Sequence, residues 1–200
     1  MQGHASLLIR WQNHNIYVDP YSEIADYKGM PEAHLVLLTH HHYDHLDNNA
    51  LKHIVTDKTI FVTNEGCRNE IKNANVIAQG ESFNYNAINI KAVYAYNIVN
   101  KNDDGKPFHP RGEGNGYILD FAGYKVYIAG DTELIPEMKD LGEIDLAFLP
   151  KNLPYTMSDE MFIEAVKTIM PRKLFAYHYF EIDVEKLKKG MPKGVELQNR

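Results

Sequence analysis

Cysteine is almost absent from this chain: Cys67 stands alone among 200 residues. A lone thiol excludes an intramolecular disulfide, fits a reducing compartment, and reads as a small buried side chain in a helix. Long hydrophobic runs are missing as well. No apolar stretch approaches the ~20 residues a bilayer requires. The start Met1, Gln2, Gly3, His4 lacks the charged region and apolar core of a secretion signal, so a cytoplasmic protein without a membrane partner is expected. Clustered positive charge is scarce: 21 Lys and Arg stand against 27 Asp and Glu, a formal charge of -6. That balance argues against a nucleic-acid partner, because phosphate backbones demand basic patches. The one basic cluster, Glu185, Lys186, Leu187, Lys188, Lys189, has the spacing of a solvated face on a terminal helix. No repeat, low-complexity tract or linker is visible. The length and 44% hydrophobic content suit a single domain over 1–200, able to bury roughly 70% of its unfolded surface.

What the chain does have is concentrated histidine. Thr39, His40, His41, His42, Tyr43, Asp44 and His45 follow directly on Leu35, Val36, Leu37 and Leu38. The apolar run predicts a short buried strand, and the polar stretch predicts a turn at its end. Side chains two apart share a face, so His40 and His42 can share one cation, with His41 pointing away, while Asp44 and His45 face a second. Imidazole plus carboxylate suits Zn, Mn, Fe or Ni better than Mg or Ca.

Elsewhere the elements alternate as in an α/β or α+β protein. Ser6 to Trp11 and Ile16 to Asp19 predict a hairpin, with His14 in its turn. Asp47 caps a helix through Ala50, Leu51 and Ile54; Thr59 to Thr63 is a strand; Asn64 caps a helix to Asn73. Ala87 to Tyr96 has period two, placing Ile88, Ile90, Ala92, Tyr94 and Tyr96 on one face. Tyr117 to Phe121 and Tyr124 to Ala129 form a second hairpin. Pro136 to Leu141 is a short helix, Ile144 to Leu149 a strand, Ser158 to Met170 a helix, and Lys173 to Tyr177 the final strand. His40, Asp131 and His178 each stand just beyond an apolar strand, where loops of a layered domain converge.

The His40-x-His42-x-Asp44-His45 motif resembles the hallmark of the metallo-β-lactamase superfamily. Gly130, Asp131 and Thr132 stand where that family places a metal-bridging aspartate, and His178 where it keeps its last histidine ligand. Gly3, His4, Ala5, Ser6 and Val18, Asp19, Pro20 are similar to the branch of ascorbate-phosphate lactonase-like and phospholipase D-like hydrolases. The family usually has a strand before the Gly-His pair, and this chain begins almost on it. The resemblance implies an αββα sandwich of two mixed β-sheets with outer helices.

It also implies metal-assisted hydrolysis with two divalent cations, most simply Zn. His40, His42 and His109 would hold the first, Asp44, His45 and His178 the second, and Asp131 would bridge, with Asp44 also assisting proton transfer. His109 enters by default, because Asn97 occupies the strand end where the family carries a histidine and His109 is the nearest candidate in the following loop. Either it replaces that ligand or the first metal has only His40 and His42 from the protein. Asp19 is expected to orient a ligand histidine. His4 and Tyr155 are candidates for the groove wall, and Arg111 and Lys151 for holding an anionic substrate. The expected substrate is a small ester-like molecule, a lactone or a phosphodiester. The alternative is a degenerate binding or regulatory domain with one structural metal.

Overall fold

The computed structural model describes residues 1–198. Strands β1 (Leu7–Trp11), β2 (His14–Val18), β3 (Leu35–Leu37), β4 (Ile60–Thr63) and β5 (Asn75–Val76) lie side by side in that order, antiparallel between β1 and β2 and parallel thereafter. The second sheet runs β12 (Glu196–Gln198), β11 (Lys173–Tyr177), β10 (Leu146–Pro150), β9 (Tyr124–Ile128), β8 (Gly114–Phe121), β7 (Ile88–Ala95), β6 (Ser82–Tyr85). Its hairpins from β6 to β9 are antiparallel, and β9 to β12 are parallel. Helix α1 (Asn48–Ile54) covers the outer face of the first sheet; α2 (Asp159–Ile169) and α3 (Val184–Gly190) cover that of the second. This is the helix-flanked double sheet that the resemblance implies.

Side-chain alternation explains the layering. Leu35 and Leu37 of β3 enter the core between the sheets, against Ile90, Tyr117 and Ile128, while Val36 and Leu38 turn outward onto Ala50, Leu51 and Ile54 of α1. A strand covered on both faces is apolar throughout, which is why it stands out in the sequence. In the second sheet Tyr127, Ala147, Leu149 and Leu174 pack outward on Phe162, Ala165, Val166 and Ile169 of α2. Each large side chain so buried contributes about 1.5–3 kcal/mol. Ser158 caps α2 by accepting from the Met161 amide, and Asp183 caps α3 through the Lys186 amide.

Several boundaries depart from expectation. The helix predicted from Asn64 to Asn73 is only a 3-10 turn at Glu65–Cys67. Gly66 and the asparagines there supply little helix propensity, and Cys67 is the one buried residue of that turn. The helix predicted at Pro136 is likewise 3-10, Pro136–Asp140. β2 starts at His14, so the first hairpin turns at Gln12 and Asn13, with Gln12 at φ 51°. Of the predicted face of β7, Ile88, Ile90 and Ala92 enter the inter-sheet core, but Tyr94 and Tyr96 join the outer cluster. There they lie under Arg111, and the Tyr96 hydroxyl donates to Glu137. β5, β6 and β12 are edge strands of only two to four residues, too short to be seen in advance.

The site-bearing ends converge on one rim. The Tyr117 hydroxyl donates to the Leu38 carbonyl (2.8 Å) and the Asn115 amide to the Thr39 carbonyl (2.8 Å), stitching the ends of β3 and β8 together across the sheets. Among the described residues no helix is long and apolar enough to cross a membrane.

Candidate metal centre

Each strand end meets a specific backbone demand at this rim. Gly130 takes φ +68° directly after β9, and a Cβ there would lie 2.8 Å from the Asn115 carbonyl, so only glycine turns the chain here to deliver Asp131. His4, Asp19 and His178 adopt φ of 45°, 43° and 54°. Left-handed backbone in non-glycine residues costs roughly 1–3 kcal/mol each and persists where the surroundings over-determine it. Here they do: the His178 amide donates to the His4 carbonyl (2.8 Å), and Asp19 is locked by Thr39.

The result is a ring of imidazoles around one carboxylate. Asp131 Oδ2 lies 3.0 Å from His178 Nε2, 3.3 Å from His109 Nε2, 3.4 Å from His45 Nε2 and 4.0 Å from His40 Nε2. His40 Nε2 and His42 Nδ1 are 3.0 Å apart. Three groups have donor atoms all within 4.8 Å of one another: His40, His42, His109; His4, Asp44, His45, His178; and His40, His45, Asp131. Asp131 therefore stands between the first two. The structure thus brings together His40, His42, Asp44, His45, His109, Asp131 and His178, the residues that the motif and the resemblance single out, and adds His4, whose Nε2 is 3.6 Å from Asp44 Oδ2.

The donors fit cations. His45 Nε2, His178 Nε2 and Asp131 Oδ1 are buried and make no hydrogen bond, a costly state unless something else satisfies them. A void of about 10 Å³ bounded in part by His40, His42, His109 and Asp131 has room for one ion- or water-sized occupant. Two further partners fix which nitrogen points inward. His45 Nδ1 donates to Asp19 Oδ2 (2.8 Å), and His109 Nδ1 donates to Asn97 Oδ1 (2.6 Å), leaving both Nε2 atoms facing Asp131. Such outer partners hold a ligating imidazole in one tautomer.

Asn97 is the feature that sequence reasoning missed. It was visible only as a gap where a histidine belonged; folded, its side chain receives both the ring and the backbone amide of His109 (3.0 Å) and donates to the Tyr155 carbonyl (2.9 Å). The loop carrying His109 is further held by Glu133, fully buried, which accepts from the amides of Ile98, Val99 and Asn100 at 2.7 Å each. His41 is exposed, lies against Gly66 and belongs to none of the three donor groups. Arg111 and Lys151 do not line the groove: Arg111 stacks over Tyr94 and pairs with Glu137 (2.9 Å), and Lys151 pairs with Asp159 (2.8 Å).

Charge inside the ring is uneven. Burial alone would raise the Asp131 carboxyl, but His178 and His45 outweigh it and hold it well below the usual range. Burial lowers His45, yet Asp131 and Asp19 overcome that and raise it well above its ordinary value. Burial, aided by neighbouring imidazoles, lowers His42 and His4 to about 4 and His40 far below normal.

The sign of the pH dependence follows. The lowered histidines stay neutral when folded but take up protons when unfolded below about 6.5, so they destabilise the folded state increasingly as pH falls from there toward about 4. His45 works oppositely, but on acidification its stabilising contribution is gained above about pH 6.5 and is already complete below it, so it does not offset the loss in this window. Metal-stripped protein should therefore show a Tm that drops between about pH 6.5 and about pH 4. Calorimetry at fixed ionic strength checks this; a flat or rising Tm on acidification would contradict it.

Comparison with known proteins agrees with this geometry. A family model described as Beta-lactamase superfamily domain matches residues 1–178. UPF0173 metal-dependent hydrolase YtkL of Bacillus subtilis is 28% identical over an alignment covering 96% of this chain and 92% of its own length. A UPF0173 metal-dependent hydrolase of Thermococcus onnurineus is 30% identical, covering 74% and 67%. A crystal structure from Parabacteroides distasonis superposes with a TM-score of 0.94 at 41% identity, covering 99% of this chain and 90% of that one. Igni18, a metallo hydrolase of Ignicoccus hospitalis, shares the fold (TM-score 0.79, 21% identity, covering 98% and 91%). The chain belongs to the β-lactamase superfamily domain family and is a metal-dependent hydrolase of the metallo-β-lactamase fold.

Proposed function

We propose that this protein is a cytoplasmic, one-domain, dinuclear hydrolase of a small ester-like substrate, a lactone or a phosphodiester. The observation that carries this is the placement of Asp131 Oδ2 between two separate donor groups, both beside an open cleft of about 650 Å³. His40, His42 and His109 would hold one cation; Asp44, His45 and His178 the other; Asp131 would be shared. The nitrogen-rich donor set favours Zn, with Mn, Fe or Ni compatible. A bound pair of divalent cations supplies polarisation of a substrate oxygen and brings the pKa of a coordinated water toward about 7.

The protein's own contribution is orientation and proton handling. Asp19 and Asn97 fix two imidazoles, so the donors are placed before substrate arrives. Asp44 is only partly buried, lines the cleft, and has an oxygen free to accept a proton at the substrate side. His4 stands behind it, 3.6 Å away, and limits how far that carboxylate can swing.

Untagged protein should contain two metals per chain and hydrolyse generic lactones or bis-aryl phosphodiesters, with loss on chelation and recovery on adding Zn. One metal, no turnover and a large fall in Tm on chelation would support a structural metal instead. His109→Ala is expected to remove one equivalent, and Asn97→Ala to weaken that equivalent by about 10–100-fold. Unchanged metal content in both would remove His109 from the ligand set.

A further inference from the structure

The cleft has a second chemical character, distinct from its metal-binding floor. Above the histidines its wall is aromatic and apolar: Tyr21, Ile24, Tyr43, Phe108, Tyr155 and Phe180. Three of these are unusually open for rings, Phe180 at 78%, Tyr43 at 75% and Tyr155 at 45% exposure. They are arranged around the mouth: Phe180 lies 5.9 Å from the His4 ring, Tyr43 meets Tyr21 edge-on at 6.1 Å, and Tyr155 meets Phe108 edge-on at 5.0 Å. Exposed apolar surface gathered at a concavity marks a place where something is bound.

The charge of the wall is equally specific. Among the described residues no Lys or Arg lines the cleft, and its carboxylates are Glu23, Asp44 and Asp131. The two rim cations singled out in the sequence, Arg111 and Lys151, are already committed to Glu137 and Asp159. An anionic group held away from the metals would meet rings and the Glu23 carboxylate, with no cation to replace its water. A cleft of about 650 Å³ is the size that takes a small organic molecule.

We propose that, resting on the hydrolase reading above, this aromatic collar selects substrates whose non-reacting part is apolar or aromatic and carries no anionic group. The exposed rings of Tyr155 and Phe180, both lining the cleft, grip that part, while the reacting oxygen alone faces the histidine cluster. A phosphodiester with aryl or alkyl substituents or a lactone with an apolar side chain satisfies this; a substrate with a remote carboxylate or second phosphate does not.

The test reads binding, so that it does not depend on turnover. Calorimetric titration of the Zn-loaded protein compares three metal-chelating probes: acetohydroxamate, phenylacetohydroxamate and 4-carboxyphenylacetohydroxamate. The phenyl probe is expected to bind at least about tenfold more tightly than the methyl one, as burial of a ring implies. The carboxylated probe is expected to bind at least about tenfold more weakly than the phenyl one. Tyr155→Ala and Phe180→Ala, both at exposed positions, should each narrow the phenyl-to-methyl ratio. Equal affinities, tightest binding of the carboxylated probe, or no binding of any probe would overturn the proposal. If the ratios hold while no ester or phosphodiester is hydrolysed, the hydrolase reading fails and the collar assignment stands. If esters turn over but carboxylated ones are preferred, the reverse is true.

Discussion

Asp131→Asn is expected to lower kcat/KM for any substrate of this site by about 10³-fold or more, with loss of at least one bound metal per chain. The side chain keeps its shape in that variant; what disappears is its charge. In the wild type, Asp131 Oδ2 lies within 4.0 Å of four different imidazole nitrogens, and it joins His40 and His45 in a donor group of their own. Two divalent cations held by donor groups this close would repel each other, and the Asp131 carboxylate would offset that repulsion. Each cation contributes several kcal/mol of transition-state stabilisation, and about 1.4 kcal/mol corresponds to a tenfold change in rate, so losing one accounts for about 10³-fold. Metal analysis alongside kinetics separates the cases. Full occupancy with less than about tenfold loss of rate would show that Asp131 does not sit between two working ions.

Asp19→Ala is expected to damage the protein from behind the site. Asp19 is fully buried, yet its carboxylate is saturated: Oδ1 accepts from the Thr39 amide (2.8 Å), and Oδ2 accepts from the Thr39 hydroxyl (2.6 Å) and from His45 Nδ1 (2.8 Å). Truncation strands a buried amide and leaves His45 without one of the two carboxylates, beside Asp131, that keep it charged in the metal-free state. Breaking such a buried pair costs about 3–5 kcal/mol, readable as a shift in the urea midpoint. Metal affinity should fall by about 10–100-fold as the imidazole loses its anchor. Asp19→Asn separates the two effects. Its amide can still accept from the Thr39 backbone, so more stability survives, but an NH₂ facing His45 Nδ1 forces the proton onto Nε2, the atom that would ligate. Affinity should then fall as far as in Asp19→Ala, with a smaller stability loss. Equal affinity in wild type and Asp19→Asn would show that the tautomer of His45 is not set from Asp19.

What could be read in advance, and what could not, divides along physical lines. His40, His42, Asp44 and His45 were legible because the turn after an apolar strand packs all of them into one short segment, and short-range geometry needs no knowledge of the rest of the chain. Both-faces-buried strands such as β3, β9 and β11 were legible for the same reason: a continuous apolar run states its own burial. Asp131 and His178 required the family resemblance, since only tertiary convergence gives their positions meaning. The weak edge strands β5 and β12 depend on a neighbour's ladder more than on their own side chains, and the helix expected after Asn64 gave way to a short turn, in which Cys67 is the buried residue. Asn97 and Arg111 failed in a more instructive way. Asn97 looked like a loss when it is a support for His109, and Arg111 looked available for substrate when Tyr94, Tyr96 and Glu137 already hold it. A residue type reveals what it can bond to, while its actual partner is a property of the fold.

The bond from the Asn97 amide to the Tyr155 carbonyl has a further effect. The same Asn97 side chain steadies His109, and Asn100 reaches the neighbouring Thr156 carbonyl, so the segment that forms one flank of the opening and the segment that presents an imidazole to the floor share a single brace. Bulk that wedges Tyr155 outward must also tug on His109. A molecule too wide for the entrance would thus loosen the grip on a cation several residues away, and size discrimination would register as weakened metal retention as well as poor fit.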